Sequence, residues 1–359
     1  MARSPEDALH FPFGDTLPEP GRTIEVAPGV RWLRMALPFA LDHINLWLLR
    51  DRQGGREGWT VVDCGIANDD TRARWEQVFA HELQGLPVLR VVVTHMHPDH
   101  MGLAHWLTER WSTPDHPCRL WASAADYQTA RLATVMTSGV GGEAAARFFR
   151  HHGLLDEASL AKVRERRDHY RQLVPAVPDA FCRLLDGDEM AIDGEPWRCI
   201  EGHGHAPEHL SLHAAGRGVL ISGDMVLPKI STNVSVSNVE PDGNPLELYL
   251  RSIRALRALP PQTLVLPSHG RPFVGLHTRI DQLEQHHDER LADALAACRD
   301  GARSAAELLQ VLFRRPLDLH QTTFAMGEAI AHLHLLQARG QVEARTGADG
   351  VLRFGASGG

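Results

Sequence analysis

No stretch of this 359-residue chain approaches the roughly 18 consecutive apolar residues that a helix needs to cross a bilayer. Positive charge is equally short: 37 Lys and Arg against 45 Asp and Glu leave a net charge of −8, without long runs of either sign. Such a surface offers no electrostatic footprint for nucleic acid or for an anionic membrane. Cysteine is sparse, with five residues (Cys64, Cys118, Cys182, Cys199 and Cys298), and no two are spaced as CxxC. Neither a disulfide framework nor a zinc ribbon is expected, and the pattern suits a reducing cytosol. The opening segment, MARSPEDALHFPFGDTLPEPG, lacks the apolar core of a secretory signal and carries early acidic residues that a transit peptide avoids. A cytoplasmic location with no membrane partner is the resulting expectation. What is present is ordinary: 43% apolar and 23% charged residues describe a globular protein, long enough for one large domain and one small one.

The densest chemistry lies at residues 88–102, VLRVVVTHMHPDHMG. The β-branched run over 88–93 predicts a strand buried on both faces. His95 and His97, two apart in extended chain, send their side chains to one side. Asp99 and His100 follow Pro98, where the chain should turn into a helix over about 101–111. Four candidate ligands therefore occupy six positions, and imidazole nitrogen with carboxylate oxygen is the donor set of zinc and its first-row neighbours. The THMHPDH pattern resembles the THxHxDH signature of the metallo-β-lactamase-fold hydrolase superfamily. The resemblance, taken to its glyoxalase II-like branch, implies an α/β fold, a four-layer αββα sandwich built around two metal ions.

Residues 1–28, rich in Pro and Gly, predict an irregular arm, and 29–276 the catalytic domain. Strand-like runs GVRWLRM, HINLWLLR and WTVVDCG follow one another, broken by turn residues. The last resembles the superfamily's VDxG element, which implies that Asp63 accepts a hydrogen bond from a ligand or from the metal loop instead of binding metal. An amphipathic helix is predicted over 68–83 and a short strand at CRLWAS. A helical insertion is expected at about 124–178, because some fifty structureless residues would be improbable in a compact domain. In this architecture such insertions wall the substrate pocket, which makes Tyr127, Met136, Phe148 and Phe149 candidates.

Strand signals resume from DEMAIDG to GVLISGD and predict a second sheet. EGHGHAPEHLSLH resembles the GHSPGHxSL motif, implying that His205 is a ligand and His209 a supporting residue, with His203 as the rival ligand. Two departures stand out: His203 and Gly204 replace the usual Pro-Gly, and Glu208 replaces a glycine. ISGD resembles the element whose aspartate, here Asp224, bridges two metals, and PSHG resembles the final ligand loop, here His269. Lys229 and Arg271 lie beside these motifs as candidate anion contacts.

The tail, 277–359, reads as a long helix, two further helices and a hairpin, which is a winged-helix order. From residue 281 onward it carries 8 basic and 11 acidic side chains, so a packing, pocket-completing or dimerising role is expected before DNA binding. The resemblance implies His95, His97 and His205 at one cation and Asp99, His100 and His269 at a second, with Asp224 shared. A water bridging two such cations loses a proton near neutral pH, and Asp99 can orient it, so hydrolysis is expected. Zinc is the first candidate, with iron and manganese also suited. A small acyl substrate cleaved at a thioester is the leading expectation, followed by lactone or carboxylic ester, then phosphodiester or RNA. A regulatory metal-bound winged-helix protein is the reading from another class.

Overall fold

The computed structural model describes residues 4–137, 139, 141–313 and 317–358. Seven strands form the first sheet in chain order: β1 (Ile24–Ala27), β2 (Val30–Ala36), β3 (His43–Gln53), β4 (Arg56–Val62), β5 (Val88–Val92), β6 (Arg119–Ala122) and β7 (Phe181–Arg183). The first four are an antiparallel meander, and β4 to β7 run parallel. Parallel neighbours require a crossover of a dozen or more residues, and each crossover here is helical. Asp69–His81 joins β4 to β5, Ala104–Trp111 lies between β5 and β6, and the insertion is the crossover from β6 to β7. It contains the helices Ala124–Val135, Gly142–His151, Glu157–Glu165 and His169–Leu173.

The second sheet holds β8 (Glu189–Ile192), β9 (Glu195–Gly202), β10 (His209–Ala214), β11 (Val219–Gly223), β12 (Leu264–Pro267) and β13 (Phe273–Val274), with only β11 and β12 parallel. Consecutive strand residues point to opposite faces, and the core divides accordingly. Val62 and Val92 meet Trp197, Leu212, Ile221 and Leu266 between the sheets. Val61 and Val91 instead face Trp75, Val78 and Leu107 on the outer side of the first sheet. On the outer side of the second, Leu220 and Val265 pack with Leu250, Ile253 and Ile280. Both mixed sheets are thus covered by helices.

Two departures from the sequence reading concern the first sheet. It begins at Ile24, inside the predicted arm, because Ile24 and Glu25 pair with Trp32 and Arg31. The helix after the histidine turn is split into Pro98–Met101 and Ala104–Trp111. Gly102 sits at the break: a Cβ there would stand 2.5 Å from the Gly65 carbonyl oxygen and 2.7 Å from Ile66 Cα.

The tail comprises Leu276–Arg299, Ala305–Leu312, Leu319–Ala338 and a hairpin of β14 (Val342–Thr346) and β15 (Leu352–Ala356). It does not stand apart. Phe148 and Phe149 of the insertion share one apolar cluster with Leu308, Leu312, Ile330 and Leu333 of the tail. These two phenylalanines, expected in a pocket wall, are core because the tail covers them. Tyr127 is likewise buried, stacked on Phe181 with ring centroids 3.9 Å apart, its hydroxyl donating to the Pro178 carbonyl at 2.8 Å.

Candidate metal centre

The backbone leaves β5 at Val92 and passes through Thr94, His95 and His97 into the one-turn helix Pro98–Met101, which returns Asp99 and His100 toward the preceding histidines. Loops from the second sheet close the ring: His205 before β10, Asp224 after β11, His269 after β12. His95 Nε2 lies 2.9 Å from His97 Nδ1 and 3.2 Å from His205 Nε2. Asp224 divides its oxygens between two groups. Its Oδ2 is 3.4 Å from His205 Nε2, while its Oδ1 is 3.6 Å from His100 Nε2 and 3.4 Å from His269 Nε2. Asp99 Oδ2 completes the second group, 3.7 Å from His100 Nε2 and 3.5 Å from His269 Nε2. The sets His95/His97/His205, His95/His100/Asp224 and Asp99/His100/His269 each bring their ligand atoms within 4.8 Å of one another.

Three of these atoms, His100 Nε2, Asp224 Oδ1 and His269 Nε2, are buried without a hydrogen-bond partner among the described residues. A buried polar atom left unpaired costs about 1–3 kcal/mol, so three aimed at one point fit a missing positive charge. The far side of each ring is tied. His100 Nδ1 donates to Asp63 Oδ2 at 2.8 Å, His205 Nδ1 to the Asn233 carbonyl at 2.8 Å, and His269 Nδ1 to the His43 carbonyl at 2.7 Å. This leaves Nε2 as the nitrogen that faces inward and that would give its lone pair to a cation in exchange for any proton it holds. Asp63, whose backbone is left-handed (φ 63°), also accepts from the Thr94 N–H at 2.8 Å and from its hydroxyl.

The charges are arranged to attract a cation. Burial, and then neighbouring His100, push His95 well below the ordinary imidazole range, and burial with His205 does the same to His97. Burial would lower His100 too, but Asp63, Asp99 and Asp224 outweigh it and raise the ring to about 10. His269 is raised against burial by Asp224, whose own carboxyl is held well below its usual range by His269 and His100 despite burial.

His209 is buried behind this group and accepts from the Asp224 N–H at 3.1 Å. Gly223 is obligatory there: its φ is 52°, and a Cβ would come 2.2 Å from His209 Nε2. His203 faces away, 3.1 Å from Glu201 and bonded to the Pro207 carbonyl, so His205 is the member of the cluster. Arg271 is committed to the arm, bonded to Asp15 and the Gly14 carbonyl and lying over the Phe11 ring. Lys229 is exposed, 3.9 Å from Glu6. Neither cation points into the cluster, and Met136 is surface-exposed at 54%.

Sequence reasoning missed Asn45. Its Nδ2 donates to the Pro267 and Gly270 carbonyls at 2.8 and 3.0 Å, its N–H donates to the Ser268 carbonyl, and its Oδ1 accepts from Trp32 Nε1. Arg34 adds a 2.6 Å bond to the Gly270 carbonyl, so both pin the loop of His269. A lone amide in the apolar run HINLWLLR was the available signal.

Residues 40–269, which contain all seven clustered side chains, match the Metallo-beta-lactamase superfamily model. The chain belongs to the metallo-beta-lactamase superfamily. Residues 291–357 of this superfamily member match a second model, the metallo-beta-lactamase-like C-terminal domain. Among solved structures it is similar to a beta-lactamase domain protein from Burkholderia ambifaria, with 52% identity, a TM-score of 0.93, and 98% of this chain and 99% of that one covered. A metallo-beta-lactamase family protein from Thermus thermophilus is 27% identical with a TM-score of 0.70, covering 93% of this chain and 100% of that one. The probable metallo-hydrolase YqjP of Bacillus subtilis is 26% identical over 315 residues, 85% of this chain and 91% of that protein.

Proposed function

We propose that this chain is a binuclear metal-dependent hydrolase acting on an ester-type bond, with a thioester, as in glyoxalase II-like members, as the first substrate class. One observation carries the reading: seven side chains from distant parts of the sequence converge, and three of their buried polar atoms have no other partner among the described residues. His95, His97 and His205 would hold one cation, Asp99, His100 and His269 the other, with one oxygen of Asp224 toward each. Bound there, the ions supply a water acidic enough to attack at neutral pH and a Lewis acid for the carbonyl oxygen. Zinc is the first assignment; iron and manganese accept the same donors.

The chain's own residues do the rest. Bonds from Asp63, Asn233 and His43 keep His100, His205 and His269 aimed inward, so little reorganisation accompanies reaction. Asp99, the more exposed of the two inward carboxylates, is suited to orient the attacking water and receive its proton. The name of the YqjP relative, probable metallo-hydrolase, supports the class. A small acyl substrate is favoured over RNA or DNA. The tail helix Leu319–Ala338 that would enter a groove is packed inward through Met326, Ala329, Ile330, Leu333 and Leu336.

The test is a panel of acyl thioesters, p-nitrophenyl esters, lactones and bis-p-nitrophenyl phosphate, run on zinc-loaded protein. Thioester turnover above the others is expected, with its loss in Asp99→Ala while circular dichroism is unchanged. Turnover of none of them, or full activity in Asp99→Ala, would overturn the reading.

A further inference from the structure

Asp126 lies outside the seven-residue cluster and is buried in the first turn of the helix Ala124–Val135. The neighbouring N-cap Ser123 accepts from the Asp126 N–H and donates its hydroxyl to Asp126 Oδ2 at 3.2 Å. The carboxylate then reaches two other chain segments. Oδ1 accepts from the Met96 N–H at 2.7 Å, and Oδ2 accepts from the Glu208 N–H at 2.7 Å. Met96 stands between His95 and His97, and Glu208 follows His205 by three residues. Glu208 returns the contact: its Oε2 accepts from the Ala125 N–H at 2.9 Å, one of the N-terminal donors that a helix leaves unpaired. The glutamate that departs from the family's glycine therefore has a partner.

The geometry has a mechanical consequence. The two loops are joined at their base by the Leu210 N–H donating to the Thr94 carbonyl at 2.8 Å. One attachment leaves the loops free to splay, whereas a second, charge-assisted one nearer the histidine tips sets their separation. We propose that Asp126 is a positioning residue that fixes the gap between the His95–His97 loop and the His205 loop, and so governs cation affinity at the three-histidine group while leaving the Asp99/His100/His269 group unaffected. This rests on the binuclear reading above.

Zinc titration of the full chain against a chromophoric chelator, with cobalt(II) absorption spectra in parallel, tests it. Asp126→Asn is isosteric but turns an NH2 toward a backbone N–H, which releases one loop. It is expected to weaken one of the two ions about 10- to 100-fold, leave the other at unaltered affinity, and change the cobalt bands of one site. Glu208→Ala, which removes only the return bond, should shift the same ion by less. Ser123→Ala removes the cap of the same helix but neither loop bond, so it should lower Tm and retain both ions. Two ions at unaltered affinity in Asp126→Asn, or loss of an ion in Ser123→Ala, would overturn the proposal. An unaltered chain that binds fewer than two ions would overturn the binuclear reading itself, and this proposal with it.

Discussion

The buried histidines between the sheets and the buried His287/His332 pair of the tail differ in their fitness for a cation. At the centre between the sheets, inward nitrogens face the carboxylates of Asp99 and Asp224, and against burial Asp63 together with these two lifts His100 to about 10. In the tail, His287 Nδ1 and His332 Nε2 lie 3.3 Å apart. Burial lowers His287 to about 2 and His332 to about 4, and no carboxylate is among the causes that reach His287. His95 and His100 at the centre are as inaccessible as His287 and His332 in the tail, none more than 1% exposed. Histidine density and burial alone therefore do not make a metal centre; anionic oxygens on one side of the ring and a fixed acceptor on the other do.

The sharpest way to break the comparison is Asp224→Ala, which removes the oxygens shared by both inward groups. Turnover should fall by about 10³-fold or more, in line with the loss of a principal electrostatic group, and metal analysis should show fewer than two ions. Next in size, Asp63→Asn weakens the partner of His100 and should lower zinc affinity by about 10- to 100-fold, read by competition with a chelator.

The remaining two act in the tail and should leave metal content untouched. Burial raises the Glu328 carboxyl to about 7, with Arg290 opposing. The folded state thus holds this proton after the unfolded chain has released it, so the site loses stability as pH rises from about 4.5 to about 7. Glu328→Gln should remove that slope and stabilise the protein at pH 8 by of order 2 kcal/mol, measured by denaturant melts across pH. His287 and His332 have the opposite sign. Their folded values lie below that of free imidazole, so stability falls as pH drops below about 6.5. His287→Leu should flatten that acid limb and change stability at pH 8 by only about 1 kcal/mol. Loss of a bound ion in His287→Leu would erase the distinction between the clusters.

Four of the clustered donors were legible because their spacing is local. THMHPDH compresses four donors into a strand-to-helix turn, whereas Asp224 of ISGD and His269 of PSHG, each at the end of a strand of buried apolar residues, were implied only by the resemblance to the superfamily's motifs. Asp63 and His209 were implied by the resemblance, but two further supporting residues, Asn45 and Asp126, were not legible, because the loops they hold lie far away in the chain, 222 and 82 positions distant for Pro267 and Glu208. Phe148, Phe149 and Tyr127 were read as pocket wall for a related reason. Periodicity shows that a face is apolar but not what will cover it, and here the tail and Phe181 do.

The strand runs, the helix caps at Asn68 and Ser304 and the dense THMHPDH turn follow from the sequence alone, since each depends on neighbours within a few residues. Tertiary structure decided between His203 and His205, bound Arg271 to the arm and joined the insertion to the tail. Those outcomes depend on which distant backbone groups and apolar faces meet, and local spacing holds no record of that.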